Sequence, residues 1–191
     1  MATDIASKEV NILGFAGSLR KGSYNKALLR EAAKLAPRNV EIELFDLEGI
    51  PPFNQDNEER LPERVKEFKA KIEAADAILI STPEYNYSVP GVLKNAIDWA
   101  SRPYGSNSFE GKPIAIMSAS LGMLGGVRAQ SHLRQVLVSL NMHAVNRPEV
   151  IVPFAREKFD RKGNVTDLRT KELLKDLLEN LVDWARRLRK G

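Results

Sequence analysis

Apolar and polar positions along this chain switch between two periods, and the switches mark its elements. Ile12 to Ala16 is a short unbroken apolar run, which suits a strand buried on both faces. Ala27, Leu28, Leu29 and Ala32 follow at helical spacing. Residues 40–46 then alternate, with Val40, Ile42 and Leu44 on one side and Glu41 and Glu43 on the other, which predicts a half-buried edge strand. Pro62 suits the first turn of a helix whose face carries Val65, Phe68, Ile72 and Ala75. Ala77 to Ile80 predicts a third strand, and 90–100 a helix that is apolar almost all round. Pro113 to Ser120 predicts a fourth strand, and Leu133, Val136, Leu137 and Leu140 a helix after it. A fifth strand is expected within His143 to Arg147, stopped by Pro148. Thr166 is expected to cap a last long helix that turns Leu174, Leu177, Leu178, Leu181, Ala185 and Leu188 inward.

Strands alternating with helices imply an α/β fold, a parallel sheet covered on both faces. With the second strand at an edge, the economical order is 2-1-3-4-5, a flavodoxin-like three-layer sandwich. The ligand crevice of such a sheet lies at the carboxyl ends of strands one and three, where the winding reverses. The chain shows no internal repeat and no low-complexity linker, so residues 1–191 are expected to form a single domain.

The loop leaving the first strand holds Gly17, Ser18, Arg20, Gly22, Ser23 and Asn25, and then gives way to the helix. Unpaired N–H groups of such a loop and of the helix's first turn, together with the helix dipole, favour an anion. Ser18, Ser23 and Asn25 add side-chain donors, and Arg20 adds a charged fork suited to phosphate. It is not a Walker loop, because Ser23 stands where the lysine belongs. Nor is it a G-x-G-x-x-G fingerprint, because Phe15 and Ala16 separate Gly14 from Gly17. The same residues also fit an ordinary turn in which Ser23 or Asn25 caps the helix.

After the third strand, P-E-Y-N-Y-S-V-P-G offers two tyrosines, an amide and several backbone N–H groups. A flat aromatic ligand anchored by a phosphate in the first loop would lie against Tyr85 and Tyr87. Alternatively this is a tyrosine-rich turn packed on its own domain. The glycines of the third loop, Ser118 to Gly126, either admit a close approach to a ring or only shape a turn. Glu84 reads as a carboxylate capping nearby N–H groups rather than a general acid. His132 and His143 have no third ligand nearby and read as structural or surface residues, so no metal site is expected. The connection from Glu48 to Leu61 exceeds the usual length and is a candidate wall of a binding site. The apolar helix at 90–100 points to a subunit interface.

The 191 residues are 43% hydrophobic and 28% charged, an ordinary globular balance. With no cysteine, thiolate nucleophiles and iron–sulfur clusters are excluded. No apolar stretch could span a bilayer, and Met1 to Glu9 lacks a signal-peptide core, so a cytoplasmic protein with no membrane association is expected. The net charge of +4 and pI near 9.3 fit solubility, with a basic run of Arg186, Arg187, Arg189 and Lys190, or steering of anionic ligands. Basic residues do not interleave with aromatics, so nucleic acid is not an expected partner.

Three segments carry a family resemblance: G-S-L-R-K-G-S-Y-N at 17–25, P-E-Y-N-Y-S-V-P-G-V-L-K-N-A-I-D-W at 83–99, and G-G-V-R-A-Q-S-H-L-R-Q at 125–135. Together they resemble the NADPH-dependent FMN reductase family, in its branch of quinone, chromate and azo-dye reductases. The resemblance runs from the first strand to about Val152. It implies that Ser18, Arg20, Ser23, Tyr24 and Asn25 hold an FMN phosphate. Pro83, Glu84, Tyr85 and Asn86 would line the ribityl chain and ring largely through backbone, and Ser118 to Ser120 would complete the ring site. Ala119 stands where the family often carries a further hydroxyl, so contact there would come from backbone.

By the same resemblance no side chain is a catalytic residue, because a flavin carries the chemistry. The expected activity is an FMN-dependent NAD(P)H oxidoreductase. By a ping-pong mechanism it would pass two electrons to small-molecule acceptors such as quinones, chromate, azo compounds or free flavin. NADPH or NADH would be the hydride donor, and a homodimer or homotetramer the assembly. The alternative is a flavodoxin-like electron carrier or flavin-binding protein without NAD(P)H activity, a class that is typically acidic.

Overall fold

The computed structural model describes residues 10–189; the expectation for Met1–Glu9 and the Lys190 end of the basic run lie outside them. The elements in chain order are β1 (Val10–Ala16), α1 (Tyr24–Lys34), β2 (Val40–Phe45), α2 (Glu63–Ala74) and β3 (Ala77–Ser81). They continue with α3 (Gly91–Ala100), β4 (Pro113–Ala119), α4 (Val127–Ser139), β5 (His143–Ala144) and β6 (Val150–Val152), then α5 (Ala155–Lys158) and α6 (Leu168–Leu188). All strand pairs are parallel, in the order β2-β1-β3-β4-β5, with β6 also on β4. That is the expected 2-1-3-4-5 order, with β2 at an edge.

The two faces of β1 explain the three layers. Val10, Ile12 and Ala16 pack with Leu28 of α1 and with Leu174 and Leu178 of α6 on one side. Leu13 and Phe15 pack with Phe68 of α2, Leu93 and Ile97 of α3 and Leu133 of α4 on the other. Side chains alternate across a strand, so a strand covered on both faces must be apolar at consecutive positions.

The fifth strand differs from expectation. It is split: β5 pairs with Pro113 and Ile114 at the start of β4, the chain leaves the sheet, and β6 returns beside Met117 to Ala119. Pro148 lies in the gap and has no N–H for a ladder. The β-branched run Val150–Val152 is the signal for the missing half. The last helix is capped by Asp167 rather than Thr166. The Asp167 carboxylate accepts from Thr170 N at 2.9 Å, while Thr166 N donates to Lys158 O in the preceding turn.

The connection after β2 also takes a different place. It lies on the outside of α3 and supplies none of the lining of the cleft described below. Pro51 O accepts from Trp99 Nε1 at 2.8 Å and from Asn95 Nδ2 at 2.9 Å, and Asn95 Oδ1 accepts from Phe53 N at 2.7 Å. The Phe53 ring meets Trp99 edge-on at 5.0 Å. The apolar character of α3 is therefore met within the chain, by the sheet on one side and this connection on the other. Lys69 fastens the end of α3 and the segment beyond it, donating to the carbonyls of Ala100, Arg102 and Ser106 at 2.7–3.0 Å. Burial pushes its ammonium below the ordinary lysine range despite the nearby Glu73 carboxylate.

Candidate functional site

Three loops meet at the carboxyl ends of β1, β3 and β4, around a cleft of about 260 Å³. α1 covers one face of the sheet and α2 the other, so the winding reverses between β1 and β3 at this cleft. Ser18, Arg20, Ser23, Tyr24, Asn25, Pro83, Glu84, Tyr85 and Ser120 line it, and Ala119 and Leu121 complete the lining. Asn86 and Ser118, the other two residues singled out from the sequence, do not.

The first loop is folded by its own small polar residues. Gly17 N donates to Ser81 O at 2.9 Å, which joins the loop to the end of β3. Ser23 N closes a turn on Arg20 O at 3.1 Å, and the Ser23 side chain caps α1 through Lys26 N. Capping leaves the first N–H groups of the helix, those of Tyr24 and Asn25, without an acceptor among the described residues. Arg20 is exposed, with its guanidinium 5.8 Å from the Tyr24 ring centroid, while Ser18 is buried. A cation, helix-end N–H groups and hydroxyls thus converge where an anion would be favoured.

Asn25 has a role that its neighbours lack. Its Nδ2 donates to Ala119 O at 2.9 Å, and its Oδ1 accepts from Ala119 N and Ser81 Oγ, each at 2.9 Å. The side chain is buried and ties the start of α1 to the ends of β3 and β4. Its acceptor oxygen and one amide hydrogen are thus engaged within the protein, which leaves one amide hydrogen of the side chain as the donor the sequence suggested.

In the second loop Glu84 turns to α4. Its Oε2 accepts from Arg128 N at 3.0 Å and from Ala129 N at 3.3 Å, and its Oε1 accepts from the Arg128 guanidinium at 3.0 Å. This is the capping carboxylate that the loop composition predicts. Arg128 also lies over the Tyr87 ring, 3.8 Å from its centroid. Asn86 and Tyr87 form the tip of a two-residue turn, and Ser88 Oγ lies 2.9 Å from His132 Nδ1. Sequence reasoning missed the Glu84–Arg128 pair because its members are 44 residues apart.

In the third loop the Ser118 hydroxyl faces α4, accepting from Gln130 Nε2 at 2.8 Å. That corrects its expected place in the cleft. Ser120 reaches the lining with its backbone tied to Val152 and Ala155. Gly125 and Gly126 serve packing rather than the cleft. Both have positive φ, and a Cβ would come 2.5 Å from Ile151 Cγ2 at Gly125 and 2.8 Å from Ser118 Cβ at Gly126. Leu121, half exposed at the cleft, carried no signal beyond being an apolar residue in a loop. Among the described residues no group of three His, Asp or Glu side chains is placed to hold a metal, and no helix is long and apolar enough to cross a membrane.

The family model for NADPH-dependent FMN reductase matches residues 10–157, which contain all three loops. The chain belongs to this family. It is a reductase whose cofactors are FMN and NAD(P)H. It is 51% identical to an NAD(P)H-dependent FMN reductase of Pseudomonas aeruginosa, over 96% of this chain and 99% of that one. A 2-hydroxy-1,4-benzoquinone reductase of a Burkholderia species is 42% identical over 89% of this chain and 93% of its own. Among solved structures, FerB, a flavoenzyme NAD(P)H:(acceptor) oxidoreductase from Paracoccus denitrificans, superposes with a TM-score of 0.86 at 39% identity, covering 93% of this chain and 98% of that one. The reductase family's match ends before α6, although α6 supplies much of one face of the core.

Proposed function

We propose that this reductase takes hydride from NAD(P)H and passes two electrons to quinones, with chromate, azo compounds and free flavin as further acceptors. The observation that carries the reading is the donor set of the first loop. Arg20, the Ser18 hydroxyl and the open N–H groups of Tyr24 and Asn25 fit the terminal phosphate of FMN. FMN, when bound, supplies the redox chemistry of both half-reactions. The protein's work is to bind and orient. Ser23 holds the helix end that presents the N–H groups, Asn25 fixes the three loops relative to one another, and Pro83 to Tyr85 with Ala119 and Ser120 form the walls. Backbone groups of those walls would meet the polar edge of a flat ring, and the half-exposed Tyr85 would shield it from water.

A ping-pong order follows from one cleft serving both partners, the oxidised nicotinamide leaving before the acceptor enters. The relatives named for quinone reduction support quinones as the first class to try. The net charge of +4 favours an enzyme handling anionic nicotinamide nucleotides over an acidic carrier. In this reading residues 1–191 act as one domain in the cytoplasm, and α6 packing across the same sheet as α1 supports the single domain. A homodimer or homotetramer is proposed on the exposed side chains of the second and third loops: Tyr85, Tyr87, Leu121 and Met123 are 51–74% exposed.

The test is an absorbance experiment on protein loaded with FMN and freed of excess. Flavin bands that bleach with anaerobic NADPH and return on adding a benzoquinone are expected. Bands that persist with NADPH and NADH would make it a carrier, and failure to retain FMN would remove the cofactor from this cleft.

A further inference from the structure

The turn beside the cleft is wound in the left-handed region. Asn86 has φ 49° and Tyr87 φ 66°, while Tyr85 and Ser88 exchange backbone hydrogen bonds of 3.1 and 3.0 Å around them. Asparagine tolerates this conformation, but an aromatic residue there is uncommon, because its Cβ crowds the neighbouring carbonyl. A strained residue of this kind persists where its surroundings over-determine it.

Those surroundings come from α4. One guanidinium, that of Arg128, stacks on Tyr87 at 3.8 Å and bonds Glu84 at 3.0 Å, so it grips the turn at its tip and at its base. Glu84 grips back through the N–H groups of Arg128 and Ala129. The Glu84 side chain is only 11% exposed, and both of its oxygens are engaged on α4.

We propose that Glu84 and Arg128 are positioning residues: they fasten the strained Asn86–Tyr87 turn to α4 and so hold the Pro83–Tyr85 wall in the shape that FMN binding requires. The ligand in this statement rests on the reading of the cleft given above. The fastening is a property of the chain without ligand. Glu84 thus acts on the cleft through the backbone it anchors, and its carboxylate meets α4.

Two measurements test this on the full chain, compared among the native protein, Arg128→Ala, Tyr87→Gly and the double variant. The first is amide hydrogen exchange without FMN, since the Tyr85 and Ser88 amides report closure of the turn. The second is the FMN dissociation constant by titration. Arg128→Ala is expected to speed exchange at those two amides and to raise the dissociation constant, each about tenfold, while amides of β1, β3 and β4 stay within about twofold. In that background Tyr87→Gly is expected to recover much of the lost affinity, because glycine adopts the left-handed conformation without strain. Glu84→Gln, which keeps an acceptor for the α4 N–H groups and loses the ion pair, is expected to have a smaller effect, about threefold.

Unchanged exchange at Tyr85 and Ser88, or exchange that speeds equally throughout the sheet, would overturn the proposal. So would a double variant no better than Arg128→Ala in binding. A native protein that fails to bind FMN would remove the ligand reading alone, and the exchange data would still decide the fastening.

Discussion

Asn25 and Ala119 stand 94 residues apart and are joined by a two-way hydrogen bond: the Asn25 amide donates to Ala119 O and accepts from Ala119 N, each at 2.9 Å. A side chain from the start of α1 thus pairs with the end of β4 as a strand neighbour would. Ser81 Oγ, at the end of β3, donates to the same Asn25 oxygen. Asn25→Ala would leave buried backbone groups without partners, at a cost of about 3 kcal/mol. Urea unfolding should show a lower midpoint at unchanged slope, and FMN affinity should fall with it. A midpoint within error of native would show that the ends of β3 and β4 are held by other contacts.

Arg20→Ala should leave the unfolding midpoint where it is, because Arg20 is exposed and among the described residues meets the Tyr24 ring and its own loop. Its effect should fall on FMN, with roughly 1.5–3 kcal/mol of binding lost as a charge-assisted phosphate contact disappears. Equal FMN affinity in a fluorescence titration would move the phosphate away from this loop.

Gly125→Ala tests packing beneath the third loop. The added Cβ would lie 2.5 Å from Ile151 Cγ2 and 2.9 Å from Pro153 N, at a φ of 59°. Ile151 could shift, but the Pro153 backbone belongs to the segment that also carries β6. A loss of about 2–3 kcal/mol is expected from strain and displacement together. Stability equal to the native protein would mean that β6 gives way freely.

Acid should weaken the tie between Arg189 at the end of α6 and Asp76, the residue before β3. Burial pushes the Asp76 carboxyl up, but the hydrogen bonds from Arg189 and Asn11 N and the charges of Arg189 and Lys112 outweigh it, so it lies below the ordinary aspartate range. The unfolded chain therefore binds the proton first. The stabilisation is fully present above about pH 4 and is lost as pH falls through the folded value. In Asp76→Asn the fall in unfolding free energy between pH 5 and pH 2 should be shallower than in the native protein. Parallel curves would show that Asp76 is not linked to folding.

Light scattering at micromolar concentration should give a dimer or tetramer mass, and Met123→Glu should shift it toward the monomer. A native monomer would leave the exposed tyrosine, leucine and methionine side chains to small-molecule contacts alone.

The sheet order, the buried β1 and β3 and the edge position of β2 were legible in the sequence, because periodicity reports which faces of an element are covered. The topology that follows set the first two loops beside one cleft, the third being read from the family resemblance. Ser23 as a cap was legible for a local reason, because serine bonds nearby backbone where a helix begins. That Glu84 meets N–H groups was legible from its type, but not that they belong to α4, 44 residues on. The destination of the long connection was not. Nothing in Pro51, Pro52 and Phe53 says that they will meet Trp99, so α3 read as a helix awaiting another subunit. The split fifth strand depends on where β4 offers partners, and pairing register is a property of two strands together. The same holds at the cleft. The sequence determined which polar residues stand in each loop, and only the tertiary structure decided that the Asn25 and Ser118 side chains turn to protein partners while Arg20 stays exposed at the cleft. A hydrogen bond between residues 94 apart is set by the packing of whole elements, which no local pattern encodes.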